Sequence, residues 1–463
     1  MEKPMQPEIS IATLNDGQTA DEQWSYWLYW AKILFVAGLA FFVFLIAEHD
    51  PKMATLENFV QDIEDQESWA AGGNTLRRLA FLSCAGFGLA GLMMGQWHKF
   101  RWNLHMILLA LYFVWIASTL AWSIDSGATM RRFLVIICCA IGCVGISRFL
   151  TIEQVIIATM LTLLGWLCVG IGNELLVGAF RPHKGDYRFA GTLHPNLQAA
   201  NLAVLCIAAF SMSRLRPKFK LLFYAIFMIG FMFLVLTKCR SGTALLPVSL
   251  VAVWFFTQPV KYIATGTLIS IWCVASMVLL SLVTGFDPIE QYSEILLLGR
   301  GEETGSSLTG RLPLWKDLST YIADRPWHGY GFGAFWTPRN IYDIATGQDW
   351  TISEAHSSYV DTALQSGLVG VALMVAVALS TLIFVVKRYR QTGETEFVFV
   401  IGVIVFCLLR GFTESGLSNP SGYSNALFLA MASHSWNATT GRVEIESVPD
   451  RPPLSSSIAT GGI

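Results

Sequence analysis

Residues 213–240 read SRLRPKFKLLFYAIFMIGFMFLVLTKCR, and this stretch decides the fold. From Leu221 to Thr237 no side chain is charged. A helix needs about 20 mostly apolar residues to cross the hydrocarbon core of a bilayer, and the run from Phe219 to Thr237 supplies them. Arg214, Arg216, Lys218 and Lys220 crowd the N-terminal side of the run. Short loops rich in Lys and Arg stay in the cytosol, so the chain enters the membrane from that side.

Working outward, the same test gives candidate spans near 29–47, 79–97, 103–122, 132–147, 154–178, 197–213, 219–237, 243–258, 262–284, 358–386, 396–412 and 424–437. The expected architecture is an all-α polytopic membrane protein of about twelve transmembrane helices, with the fourth, eighth and last spans short. Strict alternation places Lys99 and Arg101, the 214–220 cluster, and Lys387, Arg388 and Arg390 on one face. That face is taken as cytosolic, with an N-terminal tail over 1–28 and a disordered tail over 438–463. Spans one to nine occupy 29–284 and spans ten to twelve 358–437. Residues 285–357 form a large loop on the opposite, extracytoplasmic face.

Composition agrees. Of the 463 residues 54% are hydrophobic and 14% charged, against about a quarter charged in an ordinary soluble domain. Ions are expensive in hydrocarbon, so their scarcity suits a surface solvated by lipid. A net charge of −2 without a basic block gives no reason to expect a nucleic-acid partner. Cys84, Cys138, Cys139, Cys143, Cys168, Cys206, Cys273 and Cys407 fall in apolar runs, and Cys239 lies at a membrane edge. No CxxC pair or zinc spacing appears, so neither a structural disulfide nor a metal is expected. The N-terminus lacks the basic region of a secretory signal.

The outer turns nonetheless carry Arg181, Arg188, Arg240, Arg311 and Arg325. Individually these read as boundary residues that snorkel to the interface; together they suggest an outward-facing anion site. Within the large loop, Trp315, Leu318 and Ile322 recur at helical spacing, and Pro313 fits only a first helical turn. Arg311 should lie at or just before the helix N-terminus, and the helix should end near Asp324-Arg325-Pro326. Arginine beside the free N–H groups of a helix N-terminus makes a cradle for phosphate oxygens. The glycine-punctuated GYGFGAFW then turns the chain back toward the membrane. His356, just before the tenth span, can accept a proton near neutral pH. Glu302, Glu303, Glu354 and Glu414 are alternative bases.

The run LTGRLPLWKDLSTYIADRPWHGYGFGAFW followed by AHSSYVDTALQSGLVG resembles the signature of the O-antigen ligase/polymerase superfamily. These are bacterial membrane glycosyltransferases that use glycans linked to a polyprenyl pyrophosphate. RFAGTLHPNLQAANLA and TKCRSGTALL resemble the family's Pro-Asn segment and its Ser-Arg segment. The resemblance implies a GT-C-like helical fold in the bacterial inner membrane. It assigns Arg240 and Arg311, and further Arg188, to the pyrophosphate, and His356 to activation of the acceptor hydroxyl, with Glu354, Glu414 and Arg181 as accessory candidates. The family often has His-Asn where this chain has His356-Ser357.

A pyrophosphate leaving group requires mainly positioning and neutralisation of charge. Two arginines could supply both, so no cofactor and no metal is expected, and the displacement would invert the anomeric centre. The implied partners are a polyprenyl-pyrophosphate-linked glycan donor, a glycan or lipid acceptor, and membrane lipids. Two activities remain open: a polymerase joining repeat units, to which TGR…W and GYGFGAFW lean, and a ligase passing a finished glycan to lipid A core or another acceptor. A transporter or flippase is a third possibility, but it would call for ionisable residues at mid-membrane.

Overall fold

A computed structural model describes residues 20–55, 75–94, 104–185, 187–259, 262, 265–266, 272, 311–345, 352 and 354–440. Thirteen α-helices are described: α1 (Ala20–Glu48), α2 (Thr75–Met94), α3 (Leu104–Ser118), α4 (Ser126–Phe149), α5 (Ile152–Leu176), α6 (Pro195–Leu215), α7 (Lys220–Leu236), α8 (Arg240–Thr257), α9 (Arg311–Asp324), α10 (Pro338–Ala345), α11 (Ser358–Thr392), α12 (Phe397–Arg410) and α13 (Tyr423–Thr440). Among the described residues there is no strand, and nine helices are long and apolar enough to cross a membrane; α12 is a shorter apolar helix. The protein is an all-α, multi-pass membrane protein. Eleven of the twelve expected spans coincide with a helix; the ninth, 262–284, falls largely outside the described residues, and Glu302 and Glu303 lie outside them.

Several boundaries moved. Helix α1 begins at Ala20 rather than near 29, carried by Trp24, Tyr26 and Trp27, amphipathic rings suited to a membrane interface. The short fourth span is a full α4, because Asp125 caps it by accepting from the Ala128 N–H at 2.9 Å. That helix carries Arg131 and Arg132 inside its first two turns, where hydropathy had hidden its start.

Burial ranks the helices. The membrane window of α6 is 83% buried and that of α7 only 17%, so α6 is the central post and α7 a peripheral one. Leu221, Met228 and Met232 on α7 are exposed, as a surface solvated by lipid requires. Helices α2 and α4 approach backbone to backbone: a Cβ on Gly145 would lie 2.4 Å from the Gly88 Cα.

The turns expected to share a face do so. The Asp50 N–H donates to the Thr192 carbonyl, Ile124 N–H to Tyr330, Phe189 N–H to Leu236, and Ser358 N–H to Gly411, at 2.8–3.0 Å. The opposite end is tied by Arg216 to Glu153 at 2.7 Å.

The expected continuous tenth span is broken. Helix α11 kinks at Gly367, which has φ 69° and ψ −177°, a region open in practice only to glycine. The kink frees carbonyls of the preceding turn, and the large loop and α3 satisfy them. Tyr330 N–H donates to Leu364 at 2.8 Å, Gly331 N–H to Gln365 at 2.9 Å, and the Trp115 indole to Ser366 at 2.8 Å. A short helical piece, 358–366, is thereby fixed with its N-terminus at the end of the bundle that carries the large loop.

Candidate active site

Helix α9 spans Arg311–Asp324 and stops where its sequence required. Leu314 and Leu318 are buried under it, in a small core of the loop that includes Phe335 and Ile352. This second core holds Arg311 in place. Its guanidinium Nη2 donates to Glu414 Oε1 at 2.9 Å. Asn196 Nδ2, one residue inside α6, donates to the same oxygen at 2.9 Å. The other oxygen, Oε2, lies 3.7 Å from His356 Nδ1, and Glu354 Oε1 lies 3.1 Å from that same nitrogen.

The backbone around His356 is fixed from several directions. Its φ of 48° is unusual for a residue with a side chain and costs energy that its surroundings must offset. Ala355 donates its N–H to Asp361, at 3.2 and 3.3 Å to the two carboxylate oxygens. Its carbonyl accepts from the Trp315 indole at 2.8 Å. Ser357 caps α11 and donates its hydroxyl to the Gly411 carbonyl at 3.1 Å; Ser358 Oγ donates to the Glu414 carbonyl at 2.8 Å. The serine that stands where the family often has asparagine therefore staples the His356 segment to the turn bearing Glu414.

Charge is concentrated and paired. Burial opposes charging of His356, but Glu354 and Glu414 outweigh it and push its pKa up to about 10. Burial would raise Glu414, yet His356, Arg410 and Arg311 bring it down to about 2. Glu354 is likewise lowered by His356 against burial. Burial takes His194 down to about 4, so its imidazole is neutral. Because His194 Nδ1 accepts the Asn196 N–H at 3.2 Å, its proton sits on Nε2. Arg311, Arg410 and His356 are three cations facing the carboxylates Glu354 and Glu414, with Asp361 beside Glu354.

Residues 224–375 match the family model described as O-antigen ligase. Over these residues the chain is similar to that family. No curated protein matches the chain. The matched segment contains Arg240, Arg311, Glu354 and His356; Arg188, Asn196, Arg410 and Glu414 lie outside it and reach the same end of the bundle through the fold.

The other expected residues divide. Arg240 opens α8. Arg188 donates Nε to the Thr237 carbonyl at 3.1 Å, which docks its loop against the turn leading to Arg240, and its charge is felt at His194. That loop hangs on Glu174, a buried carboxylate accepting the Ala190 and Gly191 N–H groups at 2.9 and 2.8 Å. Arg181 is exposed and donates to the Gly178 carbonyl of its own turn at 3.0 Å. Arg325 lies over the Tyr330 ring at 4.7 Å, which makes it a staple of the loop.

Asn196, His194 and Arg410 were missed. The first two lie in the HPN triplet already singled out, and Arg410 is an ionisable residue closing an apolar run, which should have flagged it. Glu354, His356 and Glu414 bring their ligand atoms within 4.8 Å of one another and could in principle hold a metal ion. Doing so would require His356 to give up its proton and Arg311 to release Glu414, so the present charge state favours ion pairing over coordination.

Proposed function

We propose that the protein is a membrane glycosyltransferase of the O-antigen ligase/polymerase type, transferring a polyprenyl-pyrophosphate-linked glycan to a sugar hydroxyl on the outer face of the bacterial cytoplasmic membrane. The observation that carries this reading is the pairing of Arg311, at a helix N-terminus, with Glu414 and through it with His356 and Glu354, inside and beside the O-antigen ligase segment. Arg311, Arg240 and Arg188 bind the pyrophosphate and favour the developing anion. The pair formed by His356 and Glu354 receives the proton of the attacking hydroxyl. Attack from the face opposite the pyrophosphate inverts the anomeric carbon, and no metal is needed. The polyprenyl chain lies among the lipid-facing helices while the glycan stays in water.

Polymerase is favoured over ligase by the wording of the large loop, TGR…W and GYGFGAFW. Purified protein is supplied with polyprenyl-pyrophosphate oligosaccharide alone. A ladder of products identifies a polymerase, and transfer only after a second lipid acceptor is added identifies a ligase. No transfer under either condition refutes the proposal.

A further inference from the structure

Three groups at this site could take a proton, and their contacts leave them unequally free to do so. Glu414 is 5% exposed, with Oε1 engaged by Arg311 and Asn196 and Oε2 facing His356. Protonating it would break charge-assisted bonds on both oxygens. His356 turns Nδ1 toward both carboxylates, at 3.1 and 3.7 Å, so that nitrogen holds a proton. Removing the proton at Nε2 would leave two carboxylates facing one neutral ring. Glu354 differs from both. Its side chain is 44% exposed, its Oε1 rests on His356, and the described bonds leave its second oxygen unoccupied.

Resting on the transferase reading, we infer that Glu354 is the proton acceptor of the transfer, and that His356 is a fixed imidazolium that orients Glu354 and faces the leaving pyrophosphate. The acceptor hydroxyl gives its proton to the Glu354 carboxylate as its oxygen bonds to the anomeric carbon. The bond from that carbon to the pyrophosphate oxygen breaks, and its electron pair leaves on the pyrophosphate beside Arg311 and His356. No oxidant or further reactant is required. Glu354 is rigid enough for the task, because Ala355 is bonded through both N–H and carbonyl. The titratable groups facing it are His356, Glu414, His194 and Asp361.

The two assignments have opposite pH signatures. A carboxylate held below its ordinary range is ready throughout neutral pH, so the rate of transfer should be flat from about pH 6 to pH 9. If His356 were the base, its raised pKa would make the rate climb about tenfold per pH unit throughout that range. The experiment measures kcat against pH in lipid nanodiscs with a polyprenyl-pyrophosphate oligosaccharide, alongside donor binding. Glu354→Gln should lower kcat by about 100-fold while donor binding stays within about threefold. Glu354→Asp should recover about tenfold of that loss, and His356→Gln, which cannot accept a proton at that position, should be faster than Glu354→Gln. A rate rising with pH in the unaltered protein, or a Glu354→Gln variant with normal kcat, overturns the inference and leaves the transferase reading standing. Unaltered protein that transfers nothing overturns both.

Discussion

Glu414 is the residue whose loss should be most widely felt, and Glu414→Gln isolates its charge from its shape. In the folded protein the carboxylate is 5% exposed, holds Arg311 and Asn196 at 2.9 Å, and lies 3.7 Å from His356. Neutralising it removes the counter-ion of Arg311 and Arg410 and leaves His356 paired with Glu354 alone. Breaking a buried pair from one side costs about 3–5 kcal/mol; glutamine retains one acceptor oxygen, so roughly 2–3 kcal/mol is expected. Its sign with pH can be worked out from His356. The folded pKa of about 10 lies above the unfolded value of about 6.5, so the stabilisation is complete below pH 6.5 and is lost as pH rises toward 10. Thermal unfolding in nanodiscs, followed by intrinsic tryptophan fluorescence from pH 6 to pH 10, measures both effects. The variant should unfold at a temperature lower by roughly 5 °C at pH 6.5, and its decline toward pH 10 should be shallower. An unchanged unfolding temperature together with an unchanged slope would refute the reasoning.

Arg311→Lys keeps the charge but loses the planar fork that can reach a carboxylate and a phosphate together; initial-rate measurements should show transfer reduced by about 100-fold with little change in unfolding temperature. Gly367→Ala places a Cβ 2.2 Å from the Trp327 carbonyl carbon at a φ of 69°, so a loss of about 3 kcal/mol or more is expected, read as a drop in unfolding temperature and in membrane yield. Ser357→Ala removes the cap of α11 and the bond to Gly411; about 1 kcal/mol of stability should go, as measured by the same fluorescence scan. Ser319→Cys, on the exposed face of α9, should be labelled by a membrane-impermeant maleimide from outside the cell, and labelling only after permeabilisation would reverse the orientation.

The helices were legible because hydropathy over some twenty residues reports the solvent of a surface, and lipid leaves a strong mark. The limits of α9 were legible for a local reason: Pro313 in the first turn and Pro326 beyond the last residue confine it. Glu414 read in the sequence only as one of four alternative bases, because the partners that make it a counter-ion are 103 and 218 positions away. The break in α11 was hidden, since QSGLVG within an apolar run reads as helix. Whether Gly367 continues the helix or ends it depends on whether something else satisfies the carbonyls of Leu364, Gln365 and Ser366. The donors come from Tyr330, Gly331 and Trp115, and no local pattern announces that.

The break also explains why the site can be a seam between distant segments. An unbroken α11 would leave no free carbonyls at Leu364 and Gln365 for the GYGFGAFW turn, and the loop would lose these two ties to the membrane domain. With the break, the loop is sewn into the membrane domain, and three helix N-termini are tied to Glu414: α6 through Asn196, α9 through Arg311, and α11 through Ser358. Each N-terminus carries roughly half a positive charge, which adds to the cationic side chains Arg311, Arg410 and His356. A field of that sign in an apolar membrane domain would be costly without an internal counter-ion. Glu414 is that counter-ion at rest. A pyrophosphate arriving between Arg311 and His356 would then enter a field already balanced for an anion, so binding it demands little rearrangement of the helices. The groups that stabilise the empty site and those proposed to hold the substrate are therefore the same, and variants of this cluster should lose stability and transfer together more often than separately.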